Sequence, residues 1–300
     1  MNRRNTPRLA FIGFGEAGQA MAAGLREEGI EQIAAWDILF PAPEGERLRK
    51  AGDEIGVRLA TSAADAVRGT DVIISAVTAA SSLAAAQSVA PHLDSNPFYL
   101  DVNSVSPGRK QATAKALGDR ARYVDVAILS PIYPARHQSP MLLAGPNAEA
   151  AGPLLQALAM KTSFTGPKTG SAAAIKMVRS VMIKGMEALT AECFLAAERA
   201  GIVEEVKDSM RNNYPTLDWD KVIAYNLERM ASHGERRAAE MEEVAETLRE
   251  LGLDPQMADA TVKRQREMGA IGKMPAVRGT LNENHTVMLD AISAATKNKH

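Results

Sequence analysis

Residues 8–27, RLAFIGFGEAGQAMAAGLRE, hold the reading that decides the fold. An apolar run from Leu9 to Ile12 meets three spaced glycines, Gly13, Gly15 and Gly18, and then Ala, Met and Leu at helical spacing. Strand, turn and helix in this order suit a dinucleotide. Gly13 permits the tight turn, Gly15 lets backbone approach a pyrophosphate, and Gly18 lets helix pack close to strand. The unpaired N–H groups and positive dipole end of the helix then favour the phosphates. A second run, IAAWD, ends in Asp37, nineteen residues after Gly18. A carboxylate there accepts the ribose 2′-hydroxyl and repels a 2′-phosphate. The expected cofactor residues are Gly13, Phe14, Gly15, Glu16, Ala17, Gly18 and Asp37, with Val77 and Thr78 at the end of the run DVIISAV. The expected cofactor is NAD; NADP stays open because Arg47, Arg49 and Lys50 lie downstream. A nucleotide-free turn and an S-adenosylmethionine site share this topology, although strand, turn, helix and acid in sequence favour the dinucleotide.

Outward from that stretch, short apolar runs alternate with helical ones as far as Pro167, the pattern of a parallel sheet. LAFIGFG, IAAWD, DVIISAV, FYLDVNS, YVDVAIL and MLLAG are the expected strands. AGQAMAAGLREEG, LRKAGDEIG, SSLAAAQSVAPHL and GRKQATAKALGD read as helices or their ends. No strand is expected after Gly170. Residues 171–200 are apolar on almost every side, which predicts a buried helix. Further helices are expected over 203–211, over 218–250 with a break at Ser232-His233-Gly234-Glu235, over 254–270 and over 284–296. The reading is α/β, with an N-terminal Rossmann-type parallel-sheet domain over 1–167 and an all-α C-terminal domain over 168–300 for substrate and dimerisation.

Composition narrows the classes. With 46% hydrophobic and 24% charged residues, the chain reads as an ordinary globular protein. A net charge of −1 gives no electrostatic case for nucleic acid or an anionic membrane as partner. The single cysteine, Cys193, cannot form an intramolecular disulfide, and a cytoplasmic, reducing location is expected. No apolar run is long enough to span a bilayer. The start, with Arg3-Arg4 and a short apolar run, reads as a solvated tail rather than a signal peptide. The five histidines are scattered without metal-ligand spacing, so no metal is expected.

Lys176 falls about two turns into the helical run that begins near Gly170. Ala172 and Ser180 share its face at i−4 and i+4, and Lys184 and Glu187 continue the stripe. A solvated lysine is the plain alternative. In an apolar helix, near the positive end of its dipole, burial and field both disfavour the ammonium and suit the lysine to general acid/base work.

These residues resemble motifs of the β-hydroxyacid dehydrogenase superfamily, which includes 3-hydroxyisobutyrate and 6-phosphogluconate dehydrogenases. The segment HGERRAAEMEEVAETLRELGLDPQMADATVKRQR is similar to the branch with a DUF1932-type C-terminal domain. The family's GxGxMG matches at Gly13, Gly15 and Gly18, with Ala17 in place of Met. Its D-x-S-T-x-x-P corresponds to Asp101-Val102-Asn103-Ser104-Val105-Ser106-Pro107; Asn103-Ser104 is closer to the GNS form. Its GxGxxxKxxN falls on Gly170 to Lys176 and Arg179-Ser180, keeping the lysine and replacing the asparagine by Ser180. Its D-A-P-V-S-G-G aligns with Asp125 to Pro131, without the glycine pair.

The resemblance implies a catalytic Lys176 and substrate contacts from Asn103, Ser104, Ser130 and Ser180, in a cleft beside the long helix. It implies NAD(P)-dependent hydride transfer on a small hydroxy acid or its carbonyl counterpart, by a homodimer. Asn103 and Ser104 as plain helix caps are the alternative there. Imine reduction, a catalytically silent NAD-binding protein and a methyltransferase are the rival functions. Tyr133, His137, His233 and Arg237 admit either a substrate-side or a structural role, and Cys193 is expected in the core.

Overall fold

The computed structural model describes residues 6–296; the Arg3-Arg4 tail lies outside them. The chain divides into two compact units between Met177 and Val178. Each is taken in turn.

The first unit contains β1 (Leu9–Ile12), α1 (Glu16–Glu27), β2 (Ile33–Trp36), α2 (Glu46–Ile55), β3 (Arg58–Leu59), α3 (Ala63–Val67), β4 (Val72–Ser75), α4 (Ser82–Val89), β5 (Phe98–Asp101), α5 (Pro107–Leu117), β6 (Arg122–Ile128), β7 (Met141–Ala144), α6 (Ala148–Ala157) and β8 (Thr162–Phe164). Its eight-stranded sheet runs in the order β3-β2-β1-β4-β5-β6-β7-β8. Every pairing is parallel except β6 with β7. Alternation in β1 explains why its four residues are all buried. Leu9 and Phe11 join a core with Met21 and Leu25 of α1, while Ala10 and Ile12 join one with Ala66, Val67 and Val89. A strand covered on both faces must be apolar throughout.

All six expected strands form. β3 and β8 escape the sequence reading because Arg58-Leu59 and Thr162–Phe164 are short edge pieces, half-buried or exposed, without a distinct apolar period. The helix α6 escapes it too, since Pro153 sits inside.

One continuous helix, α7 (Ser171–Ala200), leaves the first unit and enters the second. The second unit continues with α8 (Val203–Asn213), α9 (Trp219–Glu250), α10 (Gln256–Gly272), α11 (Pro275–Arg278) and α12 (His285–Thr296). Its core gathers Phe194, Trp219, Leu227, Met230, Ile271 and Leu289.

Three expectations need correction here. α9 is unbroken at His233-Gly234. Gly234 serves a helix crossing rather than a turn: a Cβ there would come within 2.6 Å of Gly269 N on α10, and one on Gly269 within 2.8 Å of Glu235 N. α7 is not buried all round, because Val178, Met182, Met186 and Leu189 stay exposed along one face. Cys193 lies on the same side and is exposed rather than in the core.

Candidate active site

The glycine turn between β1 and α1 is built as its spacing requires. Gly13 has φ +91°, and a Cβ on it would press on the Ala76 carbonyl and come within 2.6 Å of Val77 Cγ1. Gly18 packs against Gly13 O, 2.6 Å from where its Cβ would stand. Gly15 differs. A Cβ there meets nothing within 4 Å, and no side chain of the N-cap residue bonds the first turn of α1. A cradle of this kind fits a pyrophosphate.

Phe14 contributes backbone only. Its ring is fully buried, edge-on to Phe11 and Phe40 at 6.5 and 6.1 Å. Its N–H donates to Asp37 Oδ2 at 2.8 Å, and Leu39 N–H donates to Oδ1 at 3.0 Å. Asp37 is thus fixed beside the turn. Glu16 is exposed in the first turn of α1, and Ala17 is half-buried. Val77 is half-buried, and Thr78 is exposed with its hydroxyl donating to Ser81 Oγ at 2.9 Å.

At the same end of the sheet, just after β5, Asn103 is buried and its side chain is committed. Oδ1 accepts from Val77 N–H at 2.7 Å, and Nδ2 donates to Ser75 Oγ at 3.0 Å and Asp101 Oδ1 at 2.8 Å. The N-cap of α5 is Ser106, whose Oγ accepts from Arg109 N–H at 3.3 Å. The capping alternative for Asn103 and Ser104 therefore fails. Ser104 instead meets the lysine: Lys176 Nζ donates to Ser104 Oγ at 2.6 Å, both residues half-buried.

Beneath this pair lies a buried charge cluster that the sequence reading missed. Asp101 and Asp125 are register partners on β5 and β6, both fully buried. Side-by-side carboxylates repel unless a cation separates them. Lys110 of α5, also fully buried, supplies it, with Nζ 3.1 Å from Asp101 Oδ1 and 3.5 Å from Asp125 Oδ1. The ammonium also donates to Asp101 O at 2.5 Å and Val126 O at 3.3 Å. Tyr123 OH donates to Asp101 Oδ2 at 2.9 Å. Burial first, then these two carboxylates, push the Tyr123 phenol well above its ordinary range. Asp125 Oδ2 accepts from Gly170, Ala172 and Ala173 N–H at 3.1, 3.1 and 3.2 Å, so it caps α7. The signal was two aspartates at one register in otherwise apolar strands.

Ser130 is exposed in the loop after β6. Tyr133 is exposed, whereas His137 is buried against α1, where its Nδ1 and Nε2 lack a hydrogen-bond partner and burial lowers its pKa. In the second unit Ser180 is buried and accepts from Lys184 Nζ at 3.4 Å; Lys184 pairs with Glu240 at 2.9 Å. Arg237 makes a buried two-pronged pair with Glu187, which Gln265 also reaches at 2.9 Å. His233 is half-buried. Among the described residues no group of three or more His, Cys, Asp or Glu could hold a metal, and no helix is long and apolar enough to cross a membrane.

Against known proteins, residues 8–105 match the family described as "NADP oxidoreductase coenzyme F420-dependent", and residues 197–268 match the domain of unknown function DUF1932. A conserved hypothetical protein from Sinorhizobium meliloti 1021 is 35% identical, with 97% of each chain covered and a TM-score of 0.77. The conserved protein MTH1747, whose structure is described as similar to 3-hydroxyacid dehydrogenases, is 28% identical over 88% of this chain and 97% of its own, at a TM-score of 0.70. The chain belongs to the DUF1932-domain proteins that carry an NADP-binding oxidoreductase domain in front of it. An imine reductase from Myxococcus stipitatus, solved with NAD+, shares the fold at 20% identity and a TM-score of 0.57, over 96% of this chain and 99% of its own. This DUF1932-branch protein therefore has the fold of NAD(P)-dependent oxidoreductases.

Proposed function

We propose that the protein is an NAD-dependent dehydrogenase or reductase that interconverts a small hydroxy acid and its carbonyl counterpart, with Lys176 as general acid/base. The observation carrying this reading is the 2.6 Å hydrogen bond from Lys176 Nζ to Ser104 Oγ. A half-buried lysine near the N-terminus of a helix, held by a hydroxyl at the end of the parallel strands, is where such a fold does its chemistry.

NAD would lie on Gly13, Phe14, Gly15, Glu16, Ala17 and Gly18, with Asp37 toward the adenosine ribose and Val77 and Thr78 beside the other half. When bound, it supplies the hydride acceptor or donor. In oxidation Lys176 takes the proton of the substrate hydroxyl; in reduction it returns one to the nascent alkoxide. Ser104 orients both lysine and substrate, and alignment of this kind contributes much of the rate in hydride transfer. Ser130, and Ser180 one helical turn beyond Lys176, supply further hydroxyls for the substrate, while Asn103 shapes the loop that presents Ser104.

Two further readings belong with this one. The exposed apolar stripe of Val178, Met182, Met186 and Leu189 fits a homodimer interface. One exposed thiol with no disulfide partner fits a cytoplasmic setting.

The decisive experiment is a screen of hydroxy acids, aldehydes and imines with NAD and NADP, followed by Lys176→Ala on the best substrate. Turnover is expected to fall at least ~100-fold while NADH still binds. Unchanged turnover removes Lys176 from the mechanism, and turnover confined to imines moves the protein to imine reduction.

A further inference from the structure

The buried ammonium of Lys110 joins the two segments that carry the proposed dyad. On one side it holds Asp101, whose Oδ1 also takes the Asn103 N–H at 3.0 Å and Nδ2 at 2.8 Å, fixing the turn that leads into Ser104. On the other it faces Asp125, whose Oδ2 takes three N–H groups at the start of α7, two turns or less before Lys176. Asp125 Oδ1 has no hydrogen bond and lies 3.5 Å from this ammonium. Two register-paired carboxylates and one ammonium leave the cluster one negative charge in excess, and the positive end of the α7 dipole lies against it. Each partner needs the others. Without the cation the carboxylates repel; without Asp125 the first turn of α7 loses its cap.

We infer that Lys110 is a positioning residue: through Asp101 and Asp125 it sets the separation of Ser104 Oγ and Lys176 Nζ. This rests on the dyad proposed above, deepens it, and gives Lys110 no contact with substrate. Chemically, a lysine is required because a single compact cation must reach two carboxylates and two carbonyls at once. The geometry lies wholly within the first unit and depends on the ends of β5, β6 and α7 being locked as one body.

The test reads Lys176 directly and needs no substrate. Full-length wild-type, Lys110→Met and Asp125→Asn proteins are acylated with acetic anhydride across a pH series. Modification of Lys176 is followed by peptide mass spectrometry, with exposed Lys50 as internal reference and circular dichroism confirming the fold. In Lys110→Met Lys176 is expected to be acylated at least ~3-fold faster relative to Lys50 at every pH of the series, as its amine is released from Ser104. Asp125→Asn is expected to raise that relative rate less. A folded Lys110→Met protein with an unchanged Lys176 profile overturns the inference.

Hydrogen exchange on the wild-type chain decides the matter if Lys110→Met does not fold. Amides of residues 102–106 and 170–176 are expected to open together, with one dependence on denaturant; separate opening overturns the inference. These readouts stand apart from the Lys176→Ala turnover experiment. A lysine that proves dispensable for turnover removes the general acid/base reading and leaves the linkage measurable.

Discussion

Lys176 Nζ donates to Ser104 Oγ across 2.6 Å, joining residues that are 72 positions apart in the chain. The contact brings the first helical turns after the sheet onto the loop after β5. It predicts that Ser104→Ala lowers turnover by about 10- to 100-fold with KM changed less, because the hydroxyl orients the proton-transferring group rather than supplying most of the binding. Steady-state kinetics with a confirmed substrate measure it. An equal loss in NADH affinity contradicts it.

The glycines of the first turn separate by role. Gly13→Ala forces a side chain into a backbone with φ +91° and onto the Ala76 carbonyl, and is expected to cost about 2–4 kcal/mol in urea unfolding. Gly15→Ala places its Cβ in open space, with nothing within 4 Å. It is expected to cost less than about 1 kcal/mol in stability and to weaken NADH binding at least ~10-fold by filling the cradle.

Asp37 is fixed by two backbone N–H groups, so its charge rather than its position is the variable. Asp37→Asn keeps one carbonyl acceptor and removes the negative charge. The ratio of NADPH to NADH affinity is expected to rise about tenfold, read by fluorescence titration.

Burial lowers the pKa of His137, opposed by Glu28, whose carboxylate lies 3.6 Å from Nε2, and by Glu27; nearby Arg136 lowers it further. The unfolded chain, with a histidine near 6.5, then binds the proton first as pH falls. Stability present above that value is therefore lost as pH drops through it toward the lower folded value. The urea midpoint is expected to be lower at about pH 5.5 than at about pH 8, and His137→Gln to flatten the difference.

The apolar stripe of α7 makes a prediction about assembly. Met186→Glu puts a charge in the middle of the stripe and is expected to weaken self-association by about 100-fold or more, seen as a dimer-to-monomer shift in sizing at micromolar concentration. A wild-type chain that is monomeric under the same conditions overturns the homodimer.

The sheet was legible because its strands are buried on both faces and their apolar runs end at polar residues. The glycine turn was legible because three glycines and Asp37 each answer a separate steric or charge demand. The cluster beneath the dyad was not, since a lysine inside PGRKQATAKAL reads as solvated and only strand register brings Asp101 beside Asp125. His233-Gly234 misled for a related reason. A glycine suits a turn and a helix crossing alike, and Gly269 on another helix decides between them. The apolar face of α7 reads as core in the sequence because hydrophobicity alone does not say which neighbour covers it.

α7 belongs to both units, and this bears on how the protein can be dissected. A fragment ending at Met177 would carry Lys176 one residue from a fraying terminus, and a fragment starting at Val178 would lack it. Neither piece keeps Lys176 inside an intact helix. Gene fusions, limited proteolysis and domain grafts that cut near this junction should yield a cofactor-binding half without chemistry, so exchanging helical domains between relatives calls for a crossover upstream of Gly170, with the whole helix moved as a single part.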